Sequence, residues 1–268
     1  MHVLLTNDDG FDAPGLKALS KSIRYWASQS ELGSVQLTVV APDQGRSECG
    51  HSVIRSGELK ISETAKDWYA VSGTPVDCAR VALNCICPDV DFVVSGINAG
   101  ANVGIDILMS GTVAAAREAA IHGKPALAIS HYRHPDIPKS WDHTPHWLTS
   151  VFDRFLQSSV NHSLPPAERS LNPAPESVQS PSPLWNVNLP AIPPDGETVP
   201  PIRTCFVDPI PLKRTGEIQP ADTPATDSPL QETPVRLTSD FHGRQRQEGS
   251  DVQLCFSGSI TISELTVF

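Results

Sequence analysis

Val3-Leu4-Leu5-Thr6-Asn7-Asp8-Asp9-Gly10 is a short apolar run that ends in an acidic turn. A run of this length bounded by turn residues predicts a buried strand. In an open α/β sheet, ligands collect beyond the carboxyl ends of the strands, which is where Asp8 and Asp9 fall. Neighbouring side chains of an extended strand point to opposite faces, so both carboxylates serve one ion only if the backbone turns. Gly10 allows that turn, because glycine accepts positive φ. Two adjacent carboxylates repel each other unless a cation lies between them, so the pair is a candidate divalent-metal site. Asn-Asp-Asp-Gly is also ordinary solvated turn chemistry, and these residues alone do not separate the two readings.

Working outward, Pro14 suits a helix start, and Leu16, Leu19, Ile23 and Trp26 form one apolar stripe to about Ser28. Residues 35–42 read as a second strand stopped by Pro42. Strand, helix and strand at these lengths make a βαβ unit, so the fold class is α/β with a mainly parallel sheet. Residues 52–72 read as short strands or a hairpin. Thr74, Pro75 and Asp77 mark a helix start running through Leu83. Asp91–Ser95 reads as a strand that enters a glycine-containing loop at 96–104, followed by a helix at 110–121 and a strand at 125–130. A covering helix is expected over 144–157. The composition then turns to Ser, Pro, Asn and Glu as far as Pro183, which predicts a loop or partly disordered insertion. Residues 185–190 restore a strand, and 191–235 read as extended with a short strand near Thr204–Val207. Residues 252–256 and 259–263 read as strand-like pieces. The expected divisions are a core over 1–156, a Pro/Ser-rich loop over 157–183, and a returning strand with an extension over 184–268.

At 268 residues the chain suits one sizeable α/β domain; 39% apolar residues and 25 prolines point to a compact core with poorly packing additions. A net charge of −10 argues against a nucleic-acid polymer or an anionic membrane as partner. A small anionic substrate is not excluded, because a bound dication reverses the local field. No run approaches the roughly 18–20 apolar residues of a bilayer span, and the first residues lack a secretory layout. Four of the six cysteines (Cys78, Cys85, Cys87 and Cys255) sit in or beside apolar segments, the pattern of reduced, buried thiols. The expected location is the cytoplasm.

Ser47 and Asn98 lie in polar loops after other strands, where a parallel sheet would bring their oxygens toward Asp8 and Asp9. Carboxylate, hydroxyl and amide oxygens suit a hard cation: Mg²⁺, Mn²⁺ or Ca²⁺. Ser110-Gly111-Thr112 opens a helix, and free N–H groups with two hydroxyls form an anion cradle. An ordinary capped helix has the same appearance. The 96–104 loop lacks the dinucleotide fingerprint, and no Walker A motif exists. His131 with His134 and His143 with His146 have no ligand partners at zinc spacing, so they read as solvated loop histidines. Cys85-Ile86-Cys87 is not a redox or zinc knuckle. Arg46 and His51 suit either a phosphate or the surface.

Several words, in order, carry a resemblance: L-L-T-N-D-D-G at 4–10, A-P-D-Q-G-R-S at 41–47, G-T-P-V-D-C at 73–78, V-S-G-I-N-A-G-A-N-V-G at 94–104 and S-G-T-V-A-A-A-R-E-A-A at 110–120. W-N-V-N-L-P at 185–190 and the closing segment extend it. Together they resemble the survival protein E (SurE) family of 5′-nucleotidases. The resemblance implies a Rossmann-like core with helices on both sheet faces. It also implies a C-terminal extension used for dimer or tetramer assembly. It further implies hydrolysis of nucleoside 5′-monophosphates with one divalent metal held by Asp8, Asp9, Ser47 and Asn98. Ser110, Gly111 and Thr112 would face the phosphate, with Asn102 nearby. Asp9 is a candidate general base or orienter of water. Met109 and Ser250-Asp251 depart from the family's usual residues. The competing classes are a metal-linked nucleotide sensor and a phosphatase with a nucleophilic aspartate, against which the missing D-x-D-x-T counts.

Overall fold

The computed structural model describes residues 1–30, 33–47, 49–162, 182–193, 198–219 and 234–267. β1 (His2–Thr6) lies inside a sheet whose order is β3-β4-β2-β1-β5-β6-β7-β11-β8. The other members are β2 (Gln36–Pro42), β3 (Ile61–Ala65), β4 (Trp68–Val71), β5 (Phe92–Asn98), β6 (Ala126–His131), β7 (Leu184–Leu189), β8 (Ile202–Thr204) and β11 (Ile260–Leu265). Pairing is parallel from β4 through β7, and antiparallel at β3–β4 and β7–β11. The expected α/β fold with a mainly parallel sheet is therefore the observed one.

Side-chain alternation explains why the middle of β1, Val3 to Leu5, is apolar at every position. Val3 and Leu5 enter one core with α1 (Pro14–Gln29) and α4 (Thr144–His162). Leu4 enters the other with α2 (Pro75–Val81) and α3 (Gly111–Ile121). A strand buried on both faces must be hydrophobic at every position. The α1 stripe is fully buried at Leu16, Leu19, Ile23 and Trp26. Thr74 and Asp77 close a reciprocal cap on α2. The alanines of α3 let that helix lie close to β5 and β6, with Ala116, Ala119 and Ala120 in the core.

Several expectations are corrected. The strand read as Asp91–Ser95 continues through Gly96 to Asn98. A Cβ on Gly96 would lie 2.2 Å from the Ile129 carbonyl oxygen, so only glycine lets β5 and β6 approach there. The covering helix runs to His162, which takes 157–162 out of the expected loop; 163–181 fall outside the described residues. Residues 252–256 form helix, not strand: α5 (Asp251–Phe256), capped by Ser250 accepting from the Gln253 amide. Val252 and Cys255 are buried three residues apart, and so short an apolar run fits either period. Within 191–235 the structure adds β9 (Arg214–Ile218), which pairs antiparallel with β10 (Val235–Ser239) in a separate ribbon. Residues 194–197 and 220–233 of that stretch lie outside the described residues.

His131 and His143 are buried rather than solvated, with their Nε2 atoms 2.7 Å apart. His131 Nδ1 lies 2.9 Å from the Tyr132 carbonyl oxygen and must donate to it, so its Nε2 accepts from His143. Burial and the Arg133 charge hold both rings below the ordinary 6.5, and they stay neutral. Packing, their mutual bond and the Tyr132 carbonyl occupy these rings, and no cluster of three metal-ligating side chains occurs among the described residues. The six cysteines are free, with Cys78, Cys87 and Cys255 buried and Cys85 exposed. No helix among the described residues is long and apolar enough to cross a membrane.

Candidate active site

The acidic turn is fixed by Asn7, which is fully buried. Its Nδ2 donates to the Gly10 carbonyl at 2.9 Å, and its Oδ1 accepts from the Gly10 amide at 3.2 Å. Gly10 takes φ +105°, and a Cβ there would press on the Gln44–Gly45 backbone at 3.3 Å. The positive φ is what the sequence assigned to this glycine; the close approach to Gln44–Gly45 is a second reason for it. The Arg46 amide then donates to the Asp8 carbonyl at 2.7 Å, which brings the loop bearing Ser47 against the turn. Ser47 itself is exposed.

Asp8 is 5% exposed and accepts from Thr112 Oγ1 at 2.6 Å. Burial pushes its carboxyl up to about 6; the Thr112 hydroxyl opposes this, and the Asp9 charge adds to it. Asp9 accepts from the Ala99 amide at 3.2 Å, and burial raises its carboxyl as well. Ala99 follows Asn98, so the ends of β1 and β5 meet here. Asn98 Nδ2 donates to the Gly100 carbonyl at 2.9 Å, leaving its side-chain oxygen for another partner.

Ser110 caps α3 by accepting from the Val113 amide at 3.1 Å. Gly111 lies against Asp8: a Cβ there would be 2.9 Å from Asp8 Cβ and 3.1 Å from Oδ2. Thr112 is buried and its hydroxyl proton goes to Asp8, so the helix head serves Asp8 before any ligand. Within the first turn, the Val113 amide is taken by Ser110 and the Thr112 amide also hydrogen-bonds Asp8. Asn102 sits apart from this contact. Its Nδ2 donates to Ser130 Oγ at 2.8 Å, and its carbonyl accepts from Asn186 and Asn188 at 2.8 and 2.9 Å. Asn188 Oδ1 accepts from the Asn102 amide at 2.9 Å. The sequence did not single out Asn186 and Asn188 as supports. Their two-residue spacing on one face of a strand is the signal that could have found them.

A hard cation fits the donors present. Asp8 and Asp9 are adjacent, partly desolvated carboxylates, and among the described residues no Lys, Arg or His forms an ion pair with either. A buried pair of negative charges without a counter-charge costs several kcal/mol, on the order of the desolvation penalty for each ion. The amide oxygen of Asn98 and the hydroxyl of Ser47 are neutral oxygen donors of the type such an ion takes.

The sequence profile described as Survival protein SurE matches residues 3–205. The chain belongs to the survival protein SurE family. A curated relative from Nostoc sp. (strain PCC 7120 / SAG 25.82 / UTEX 2576) is 37% identical over 267 residues, covering 100% of both chains. The 5′-nucleotidase SurE of Aliarcobacter butzleri (strain RM4018) is 38% identical over 201 residues, 72% of this chain and 68% of that one. The crystal structure of the SurE protein from Aquifex aeolicus superposes with a TM-score of 0.72 at 26% identity, covering 100% of this chain and 94% of that chain. The SurE profile includes the acidic turn, the Ser47 loop, Asn98, the head of α3 and β7.

Proposed function

We propose that this SurE chain is a 5′-nucleotidase that hydrolyses nucleoside 5′-monophosphates with one divalent cation, Mg²⁺ or Mn²⁺, held by Asp8, Asp9, Ser47 and Asn98. The observation that carries the reading is a buried Asp8, lacking any basic partner among the described residues, at the head of α3. The names of the curated relatives support the reaction class. When bound, the cation supplies charge neutralisation for a phosphoryl group and acidifies water. The chain's own residues do the rest. First-turn amides of α3 orient the phosphate oxygens, with Ser110, Gly111 and Thr112 forming the cradle and Asn102 holding the adjoining loop. Asp9 orients the attacking water or takes up its proton. One P–O bond forms from water, the bond from phosphorus to the ribose 5′ oxygen breaks, and that oxygen leaves protonated.

Purified protein should release inorganic phosphate from a nucleoside 5′-monophosphate. EDTA should abolish release and Mn²⁺ or Mg²⁺ should restore it. Binding of the nucleotide without phosphate release would favour a sensor instead.

The β9–β10 ribbon is proposed as the contact between copies of a homodimer or homotetramer. Val235 pairs with Ile218, and Leu237 lies over Gly216, so the three large apolar side chains share one face. Ile218 is 75%, Val235 58% and Leu237 70% exposed, more than a stable free ribbon would leave in water. Light scattering should give at least two chains per particle, and Ile218→Glu with Leu237→Glu should lower that number. An unchanged mass would reject the ribbon. The free thiols suit a reducing cytoplasm.

A further inference from the structure

Between its ends, the loop that presents Ser47 is tied to Asp8, to the residue before Ser110 and to α3. The Arg46 amide donates to the Asp8 carbonyl at 2.7 Å, and the Gly50 amide donates to the Met109 carbonyl at 3.0 Å. His51 Nε2 lies 2.8 Å from Glu118 Oε2, on α3 two turns beyond its head. Ser47 falls between the first and second ties; Glu48 lies outside the described residues.

Glu118 is suited to anchoring. It is 2% exposed, and its other oxygen receives Arg80 Nε at 2.5 Å, with His122 Nε2 at 3.3 Å. Burial alone would push its carboxyl up, but the His51 and Arg80 hydrogen bonds outweigh that and hold it at about 2. It is therefore an ionised, immobile acceptor. A carboxylate only accepts, so His51 Nε2 carries the proton. His51 Nδ1 is buried and has no partner among the described residues, which leaves Glu118 as the anchor of the ring. Asp43 and Ser52 at the loop ends are held by Val71 and Thr74, so the His51 contact is the one side-chain tie from this loop to α3 among the described residues.

Resting on the cation reading above, we propose that His51 is a positioning residue: its contact with Glu118 latches the Ser47-bearing loop to α3 and sets Ser47 at a fixed distance from Asp8. The latch joins the two halves of the site, because the helix that holds Glu118 also holds Thr112 against Asp8. His51 touches neither substrate nor cation in this account.

Mn²⁺ uptake by the full chain, followed from the EPR signal of the free ion, tests the idea without relying on turnover. His51→Leu should weaken Mn²⁺ binding by about 10-fold, the loss typical when a residue that orients a metal ligand is removed. His51→Gln keeps a donor at similar reach and should recover most of that loss. In a Ser47→Ala background, His51→Leu should cost nothing further, because the latch acts through Ser47. His51→Ala, which likewise removes the donor to Glu118, provides the same comparison if His51→Leu does not fold. Wild-type Mn²⁺ affinity in His51→Leu, or a loss that adds in full to that of Ser47→Ala, overturns the latch. Failure of the unaltered chain to take up Mn²⁺ would instead overturn the cation reading on which the latch depends.

Discussion

Asp8→Asn should abolish most phosphatase activity while leaving the protein folded, and Asp9→Asn should do likewise. The expected fall in turnover exceeds the roughly 100-fold that loss of a ligand-orienting neighbour can cost, because a ligand itself is removed. Structure predicts the intact fold. The asparagine oxygen still accepts from Thr112 Oγ1, as Asp8 does at 2.6 Å. What disappears is a buried charge with no ion-pair partner among the described residues. The pH dependence has a definite sign. Burial raises Asp8 from 3.8 to about 6, so the folded state holds its proton more tightly than the unfolded state. Metal-free protein therefore loses stability as pH rises through that interval, by about 3 kcal/mol in an order-of-magnitude reckoning. Asp8→Asn escapes this loss. Without metal at pH 8 it should unfold no more readily than the wild type, and EDTA-treated samples in urea will check this. Near wild-type turnover with Mn²⁺ present would show that Asp8 does not hold the cation.

Gly15→Ala should be the more damaging change to the fold. Gly15 is in the first turn of α1, and a Cβ there would stand 1.9 Å from the Ile97 carbonyl oxygen and 3.1 Å from Trp141 Cη2. The first contact is with backbone, which cannot swing aside as a side-chain tip does. Overpacking in a tight core typically costs about 1–3 kcal/mol, and this site belongs at or beyond the upper end. For a domain of this size, that corresponds to a melting temperature lower by roughly 6–12 °C. Ile97 precedes Asn98, so the displaced strand end should also weaken Mn²⁺ uptake. A variant melting within about 1 °C of the wild type would mean that α1 shifts freely over β5.

The parts legible in the sequence are those where one physical requirement dictates the residue type. Leu4 and its neighbours had to be apolar at every position because β1 is covered on both faces. The α1 stripe, the Thr74 cap and the glycine at the acidic turn follow the same logic. Misreadings arose where local pattern admits two answers. Val252 and Cys255 are as compatible with a strand as with the short helix that Ser250 starts. Gly96 looked like the beginning of a loop, yet it continues β5, because the close approach to Ile129 requires a residue without a side chain. His131 and His143 are separated by eleven intervening residues, and nothing local announces that they meet in the interior. Within the site, Asp8 and Thr112 were both named, but their mutual hydrogen bond joins β1 to α3, and no spacing rule reports such a contact. Glu118 is similar: its spacing to His122 is local, but only the tertiary arrangement adds Arg80 and His51.

The sheet order β7-β11-β8 has a consequence for how the chain acquires its shape. β8 is synthesised well before β11, yet it pairs with the sheet through that later strand. A polypeptide emerging from the ribosome must therefore hold β8 in waiting, with β7 as a raw border open to any passing strand. β7 also carries Asn186 and Asn188, which fasten the Asn102 loop. Closure of that border therefore waits on one late event, the arrival of residues 260–265.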